Sequence, residues 1–200
     1  SINYNKKKNI AIVGATGNVG RKILEVLEKK ELAIDNLYLQ ATSKIAGSKI
    51  NFNGNQHEVI DLETFDFSKV KITFFAAGGK ISENFAEIVA KHSLVIDNSS
   101  FYRMDPDVPL IVPQVNSDHL NNIKKNIIAN PNCSTAQLVI ALKPLHDLFK
   151  IERIVVSTYQ SVSGGGKAPM DELIEQTKQV LQNSKVESEN FTKQIAFNAI

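Results

Sequence analysis

The chain has 200 residues, 42% of them hydrophobic, with 23 basic against 21 acidic side chains and a formal net charge of +2. That balance, with both signs interspersed, leaves no electrostatic footprint for a nucleic acid, and no apolar run approaches the roughly 20 residues that span a bilayer. A single cysteine excludes an internal disulfide framework and points to a reducing compartment, the cytoplasm.

Taken along the chain, the opening "SINYNKKKNIAIVGATG" sets Lys6, Lys7 and Lys8 before a few apolar residues and then glycine. A solvated basic flank fits that pattern; an export signal, with its longer apolar core and small-residue cleavage site, does not. Residues 9–13 ("NIAIV") form a β-branched run that stops at "GATGNVG", after which Val19, Ile23, Leu24, Val26 and Leu27 recur at helical spacing. Further strands are expected at 37–41, 58–61 and 71–76, with polar turns between them. Phe85, Ile88 and Val89 give the next helical period, and "SLVIDNSS" is an apolar run that ends in hydrogen-bonding residues. Residues 127–129 end another strand, Asn130 and Pro131 break it, and from Ser134 a helix follows through Leu138, Val139, Ala141, Leu142 and Leu145, with Pro144 expected to kink or interrupt it. "APMDELIEQTKQVLQN" reads as an amphipathic helix whose stripe of Met170, Leu173, Ile174, Thr177 and Leu181 serves core packing. The repeated βα order predicts a Rossmann-like, doubly wound, mostly parallel α/β sheet with ligands at the carboxyl ends of its strands.

Three stretches carry chemistry. Gly14, Gly17 and Gly20 are spaced G-x-x-G-x-x-G, one residue off the common dinucleotide fingerprint, between a strand and a helix. The first glycine permits the tight turn, the second lets backbone approach a pyrophosphate, and the third lets the helix pack closely on the sheet; Thr16 adds a hydroxyl. A glycine-rich βα turn without a ligand is the plainer alternative, and the strand-turn-helix context favours a nucleotide. The second strand runs into "LQATSK" rather than ending on an acid for a ribose 2′-hydroxyl, and Thr42, Ser43 and Lys44 offer hydroxyls and a cation suited to a 2′-phosphate, hence NADP over NAD. Those three residue types are also ordinary in a polar surface loop. In "ANPNCSTAQ", Cys133 falls at a helix N-terminus, where unpaired N–H groups and the helix dipole favour the thiolate that acts as nucleophile. A buried, inert cysteine is the competing reading.

Six blocks in order, "GATGNVG", "DNSSFYR", "VPQVN", "ANPNCSTAQ", "STYQSVSGGGK" and "QIAFNAI", resemble the aspartate-semialdehyde dehydrogenases over essentially the whole chain. N-acetyl-glutamyl-phosphate reductases share a similar glycine loop but carry glycine before the nucleophile and tyrosine after it, so Asn132 and Ser134 favour the aspartate enzyme. Glyceraldehyde-3-phosphate dehydrogenases share the logic with a different cysteine block.

The resemblance implies reductive dephosphorylation of L-4-aspartyl phosphate by NADPH through a Cys133 thioester, on the routes to lysine, threonine, methionine and diaminopimelate. It implies Arg103 as the phosphate ligand, Gln160 as the group that orients the substrate beside the sulfur, and Asn132 as a further substrate contact. It places the cofactor on Gly14, Thr16, Gly17, Asn18 and Val19, on Thr42, Ser43 and Lys44, and on Ser163 and Gly164 at the nicotinamide end, with Gly78 and Gly79 as weaker candidates. A loop arginine, a polar strand-end glutamine and a flexible triple-glycine connector are the respective plain alternatives. No metal is implied. Residues 1–130 would form the NADP-binding domain and 131–200 the start of an α+β substrate and dimerisation domain, of a homodimer in the full-length enzyme.

Two departures qualify that pattern. Where the family often has Ser-x-Arg-Ser, this chain has Thr42, Ser43, Lys44 and Ile45, which loses a bidentate fork and a hydroxyl. The family's acid/base histidine and carboxylate-binding arginine have no counterpart, and His57, His92, His119 and His146 read as surface or structural groups. The expectation is an N-terminal portion of the enzyme, inactive by itself. A dinucleotide-binding scaffold or sensor that catalyses nothing is the rival from another class.

Overall fold

The structure, a computed structural model, describes residues 8–30 and 32–200; Lys6 and Lys7 of the basic flank lie outside them. Compactness divides the chain into Ser1–Ile151 and Glu152–Ile200.

In the first unit, β1 (Lys8–Val13), β2 (Ile34–Ala41), β3 (Lys49–Phe52), β4 (Asn55–Asp61), β5 (Ile72–Phe75), β6 (Leu94–Asp97) and β7 (Ile127–Ala129) make one sheet in the order β3-β4-β2-β1-β5-β6-β7. Every neighbouring pair is parallel except β3 and β4. The helices are α1 (Asn18–Lys29), α2 (Gly79–Ala90), the short α3 (Pro113–Asn116) and α4 (Cys133–Phe149). Alternation along β1 explains the double winding. Ile10 and Ile12 pack with Ala15, Leu24, Leu27, Leu39 and Val59, the α1 side. Ala11 and Val13 pack with Phe75, Val95, Ile127 and the α2 residues Ala86, Val89 and Ala90. A strand buried on both faces needs a helix on each. The chain builds outward from β1 through β2 and β4, then returns to β5 on β1's other side, so the winding reverses between β1 and β5 and opens a crevice at their carboxyl ends.

Strand and helix positions follow the sequence expectation with three differences. The 58–61 strand is the end of a longer β4 that forms a two-residue hairpin with β3, Phe52 opposite Asn55. Its signal was the Asn53-Gly54 pair, whose φ angles of 49° and 77° suit the sharp turn that closes such hairpins. Pro144 does not interrupt α4, which continues to Phe149. A proline removes one backbone donor but leaves the turns on either side hydrogen-bonded. The third difference is in α5 (Lys167–Leu181), described below with its own unit.

One buried residue breaks the apolar rule of the sheet. Gln40 of β2 is fully buried beside Val13 and Ile60, and neither its Nε2 nor its Oε1 has a hydrogen-bond partner among the described residues. Each unpaired buried polar atom is a standing cost. Gln40→Leu is therefore expected to raise the unfolding free energy by about 1 to 3 kcal/mol. Urea denaturation with an unchanged slope checks it, and a loss of stability would mean that the amide is satisfied by a buried water.

In the second unit, residues 152–161 carry no regular secondary structure, a 3-10 turn spans Val162–Gly165, and α5 follows. Ile174 and Leu181 of the expected apolar stripe are 54% and 72% exposed, while Gln176 is the helix's buried residue. Polar groups take over because α5 carries a strap, not a second apolar layer. Gln176 Nε2 donates to Glu172 Oε1, Glu187 O and Ser188 Oγ, and its Oε1 accepts from the amides of Ile195 and Ala196. The Glu172 carboxylate also accepts from the amides of Glu189 and Asn190 and from Asn190 Nδ2.

Burial pushes the Glu172 carboxyl up, but the Asn190, Glu189 and Gln176 donors outweigh it and hold the group below its ordinary value. A carboxylate held low in the fold contributes stability that is complete above its unfolded value, about 4.3, and is lost as pH falls through the lower folded value. Hydrogen-exchange protection of the Asn190 and Ile195 amides, corrected for intrinsic rates, should accordingly drop below about pH 4. In Glu172→Gln it should be weak at neutral pH and gain no further pH dependence.

Candidate active site

The crevice begins at Gly14, the first residue past β1. Its φ is +86°, and a Cβ there would lie 2.7 Å from the carbonyl carbon and oxygen of Ala76, just past β5. Only glycine lets the two strand ends approach this closely, and the Gly14 amide donates to Gln40 O at 2.8 Å, tying in the end of β2 as well. Gly20 is equally constrained, since its Cβ would sit 2.2 Å from Gly14 O. Gly17 is different. A Cβ on it would meet Gly14 O at an ordinary 3.5 Å, and its φ of −76° suits any residue. The fold does not need a glycine there, so the bare backbone at the N-terminus of α1 is a cradle that a Cβ would fill, as a pyrophosphate-binding turn requires. Gly17, Asn18 and Val19 are exposed at that end, and the Thr16 carbonyl is held by Arg21 Nε at 3.1 Å.

Thr42, Ser43 and Lys44 form an exposed turn directly after β2, closed by the amides of Ile45 and Ala46 on Thr42 O. This puts two hydroxyls and a cation at the end of the strand beside β1. Gly78, with φ +86°, leads into α2 at Gly79.

On the other side of β5 the polar ends of β6 and β7 come together. Asp97, fully buried, accepts from Ser82 Oγ at 2.7 Å, from the Ser99 amide at 3.0 Å and from Ser99 Oγ at 2.7 Å. Three donors replace the water that a buried carboxylate loses. The turn this anchors brings Arg103 back, half-buried, to donate from Nε to Asn130 O at 2.9 Å and from Nη2 to Asn98 O at 3.2 Å.

Cys133 is the first residue of α4 and is exposed, which excludes the buried, inert thiol. Asn132 caps that helix, its Oδ1 accepting from the Ser134 amide at 2.9 Å and lying 4.0 Å from Cys133 Sγ. One asparagine thus shapes the helix start and borders the sulfur.

Gln160, Ser163 and Gly164 belong to the second unit. Within it Gln160 and Gly164 touch: a Cβ on Gly164 would fall 2.1 Å from Gln160 Nε2. Gly165 packs on Pro169, where a Cβ would lie 3.0 Å from Cγ, and Gly166 has φ +94° as it enters α5. Gly164 and Gly165 lie in the 3-10 turn and Gly166 enters α5. Gln160 is not at a strand end, since no strand forms around it.

Sequence reasoning missed Ser82, which sits a helix away from Asp97, and the pairing of Asn98 with Asn130. The cluster of polar residues after "LVI" was the available signal for the latter. Among the described residues no group of histidine, cysteine, aspartate or glutamate is arranged to hold a metal, and no helix is long and apolar enough to cross a membrane.

Residues 9–123 match the family model described as "Semialdehyde dehydrogenase, NAD binding domain" and residues 142–200 the one described as "Semialdehyde dehydrogenase, dimerisation domain". The chain is 50% identical over 194 residues to aspartate-semialdehyde dehydrogenase 2 of Vibrio cholerae, covering 96% of this chain and 58% of that protein. It is 47% identical to the aspartate-semialdehyde dehydrogenase of a Shewanella species, covering 96% of this chain and 57% of the relative. The crystal structure of Vibrio cholerae aspartate semialdehyde dehydrogenase II complexed with ASA superposes with a TM-score of 0.88 at 48% identity, covering 97% of this chain and 58% of that one. A Candida albicans aspartate semialdehyde dehydrogenase with NADP gives 0.62 at 26% identity, covering 73% and 48%. The chain therefore spans roughly half the length of these relatives.

The glycines separate fold from ligand. Gly20→Ala should cost about 1 to 3 kcal/mol of stability or more through overpacking. Gly17→Ala should melt like the unchanged protein yet bind NADPH about tenfold more weakly, about 1.4 kcal/mol, in a fluorescence titration. Equal binding by Gly17→Ala would remove the cradle from the site.

Proposed function

The chain belongs to the semialdehyde dehydrogenase family, and from that premise we propose that it carries the dinucleotide-binding and nucleophile-bearing part of an NADP-dependent aspartate-semialdehyde dehydrogenase of amino-acid biosynthesis. The observation that carries this reading is the exposed thiol of Cys133 at the capped start of α4, a feature that nucleotide binding alone does not require. Gly17 and the Thr42–Lys44 turn support the cofactor assignment, because a backbone cradle and a cation after β2 suit a pyrophosphate and a 2′-phosphate. We assign residues 1–130 to the dinucleotide and 131–200 to substrate and subunit contacts, with a homodimer in the cytoplasm as the working form.

The chemistry follows from the groups present. The Cys133 sulfur attacks the acyl carbon of aspartyl phosphate, the bond between that carbon and the bridging phosphate oxygen breaks, and phosphate leaves with the electron pair, giving a thioester. Arg103 receives the departing phosphate, its guanidinium matching tetrahedral oxygens better than an ammonium would. Residues of the glycine turn and of the crevice would hold a nicotinamide dinucleotide, which when bound would supply hydride for the thioester carbon. The resulting hemithioacetal oxyanion then expels the Cys133 thiolate, which releases the aldehyde. Gln160 and Asn132 orient the substrate by hydrogen bonds, and Ser163 and Gly164 border the nicotinamide end.

The test is phosphate-dependent reduction of NADP by L-aspartate semialdehyde, run with the protein at its full natural length. Cys133→Ser should lower the rate by more than about 10³-fold, and N-acetyl-glutamate semialdehyde should compete poorly. Retained turnover in Cys133→Ser would overturn the thioester route, while preference for the N-acetylated aldehyde would move the assignment to the related reductases. Lys44→Glu should reduce kcat/KM for NADP relative to NAD by about tenfold or more, because like charges then face each other. An unchanged ratio would place the 2′-phosphate elsewhere.

A further inference from the structure

β6 and β7 are parallel neighbours with Asp97 opposite Ala129, so the residues leaving the two strands, Asn98 and Asn130, emerge side by side. Asn130 Nδ2 donates to Asn98 Oδ1 at 2.6 Å, and the Asn130 amide donates to Asp97 O at 2.8 Å. The carbonyls of the same two residues receive Arg103, one taking Nε and the other Nη2. A guanidinium has five N–H donors in a rigid plane. These two bonds occupy one edge and leave three N–H groups, of which one on Nη1 and the outer one on Nη2 lie parallel and form a two-donor fork on the far edge. Two features suit that fork to an anion. Its anchors are neutral carbonyls, so the positive charge is not cancelled, and Arg103 forms no ion pair among the described residues. The nearest carboxylates in sequence are engaged elsewhere: Asp105 accepts from Lys125 Nζ and the Asp107 amide, Asp107 accepts from Lys124 Nζ, and Asp97 is turned inward onto Ser82 and Ser99.

We propose that the Asn98–Asn130 amide pair is a positioning device: by clamping the ends of β6 and β7 together it sets the spacing of the two carbonyls and so aims the Arg103 fork at phosphate. The inference rests on the reading of Arg103 as the phosphate ligand. It adds Asn98 and Asn130 as residues that act through Arg103 rather than by touching the anion. Because a side-chain amide pair couples the two strand ends, removing either partner frees the same motion, and removing both frees nothing more.

The experiment compares the full-length protein with Asn98→Leu, Asn130→Leu and the double variant. Two readouts are used, calorimetric binding of inorganic phosphate and, in the aldehyde-oxidising direction, separate KM values for phosphate, aldehyde and NADP. Each single variant should weaken phosphate binding and raise the phosphate KM about tenfold, about 1.4 kcal/mol, while the other two KM values stay within about twofold. The double variant should be no worse than either single one. Unchanged phosphate affinity, a parallel rise in all three constants, or additive losses in the double variant would each overturn the device. If the unchanged protein binds phosphate but does not oxidise the aldehyde, the functional reading fails while the binding series still decides the amide pair. If it binds no phosphate, Arg103 is not its ligand and the device fails too.

Discussion

The approach of β1 to β5 at Gly14 is the constraint on which the rest depends. A side chain there would collide with the backbone of Ala76 and Ala77, so the two strand ends can sit side by side only with a hydrogen at that position. From this closeness follow the tight turn, the start of α1, and the contact of Gly20 with Gly14 O that lays α1 against the sheet. The crevice where the winding reverses is thus a packing result first. Gly17, by contrast, is bare without packing requiring it.

A second organising layer is polar. At the ends of β6 and β7 the fold buries a carboxylate, satisfies it with serines from α2 and from its own turn, and spends part of an arginine on two carbonyls. Such a network specifies one arrangement of the loop because each unmade bond would leave a desolvated group. It also spans the interval in sequence between Asp97 and Asn130, ending three residues before Cys133. The glycine crevice and the thiol are held by different physics, close packing in one case and hydrogen bonding in the other. The second unit repeats the polar theme on a smaller scale, with Glu172 and Gln176 holding the strap of residues 187–196 to α5.

Much of this was legible from residue order. Alternation and helical spacing located six of the seven strands and the main helices, since those periods reflect which face is buried. The Asn53-Gly54 turn was also written in the sequence, but four residues of β3 are too short for periodicity to reveal. The stripe on α5 misled, because Ile174 and Leu181 satisfy a helical pattern while Gln176, which breaks it, is the residue that is buried. Pro144 does not end α4 for a related reason: a local rule gives the loss of one bond, not the support of the turns around it.

By itself the sequence determined the βα order, the glycine loop before α1, the placement of Cys133 at a helix start and the family likeness, all consequences of short-range pattern. Only the tertiary structure decided which glycines the packing requires and which it leaves free, that the thiol is exposed, and that the Asn98 and Asn130 carbonyls hold Arg103. The reason is distance along the chain. Gly14 is judged by Ala76, Asp97 by Ser82, and Asn98 by Asn130, and no local rule of propensity or period joins residues that far apart.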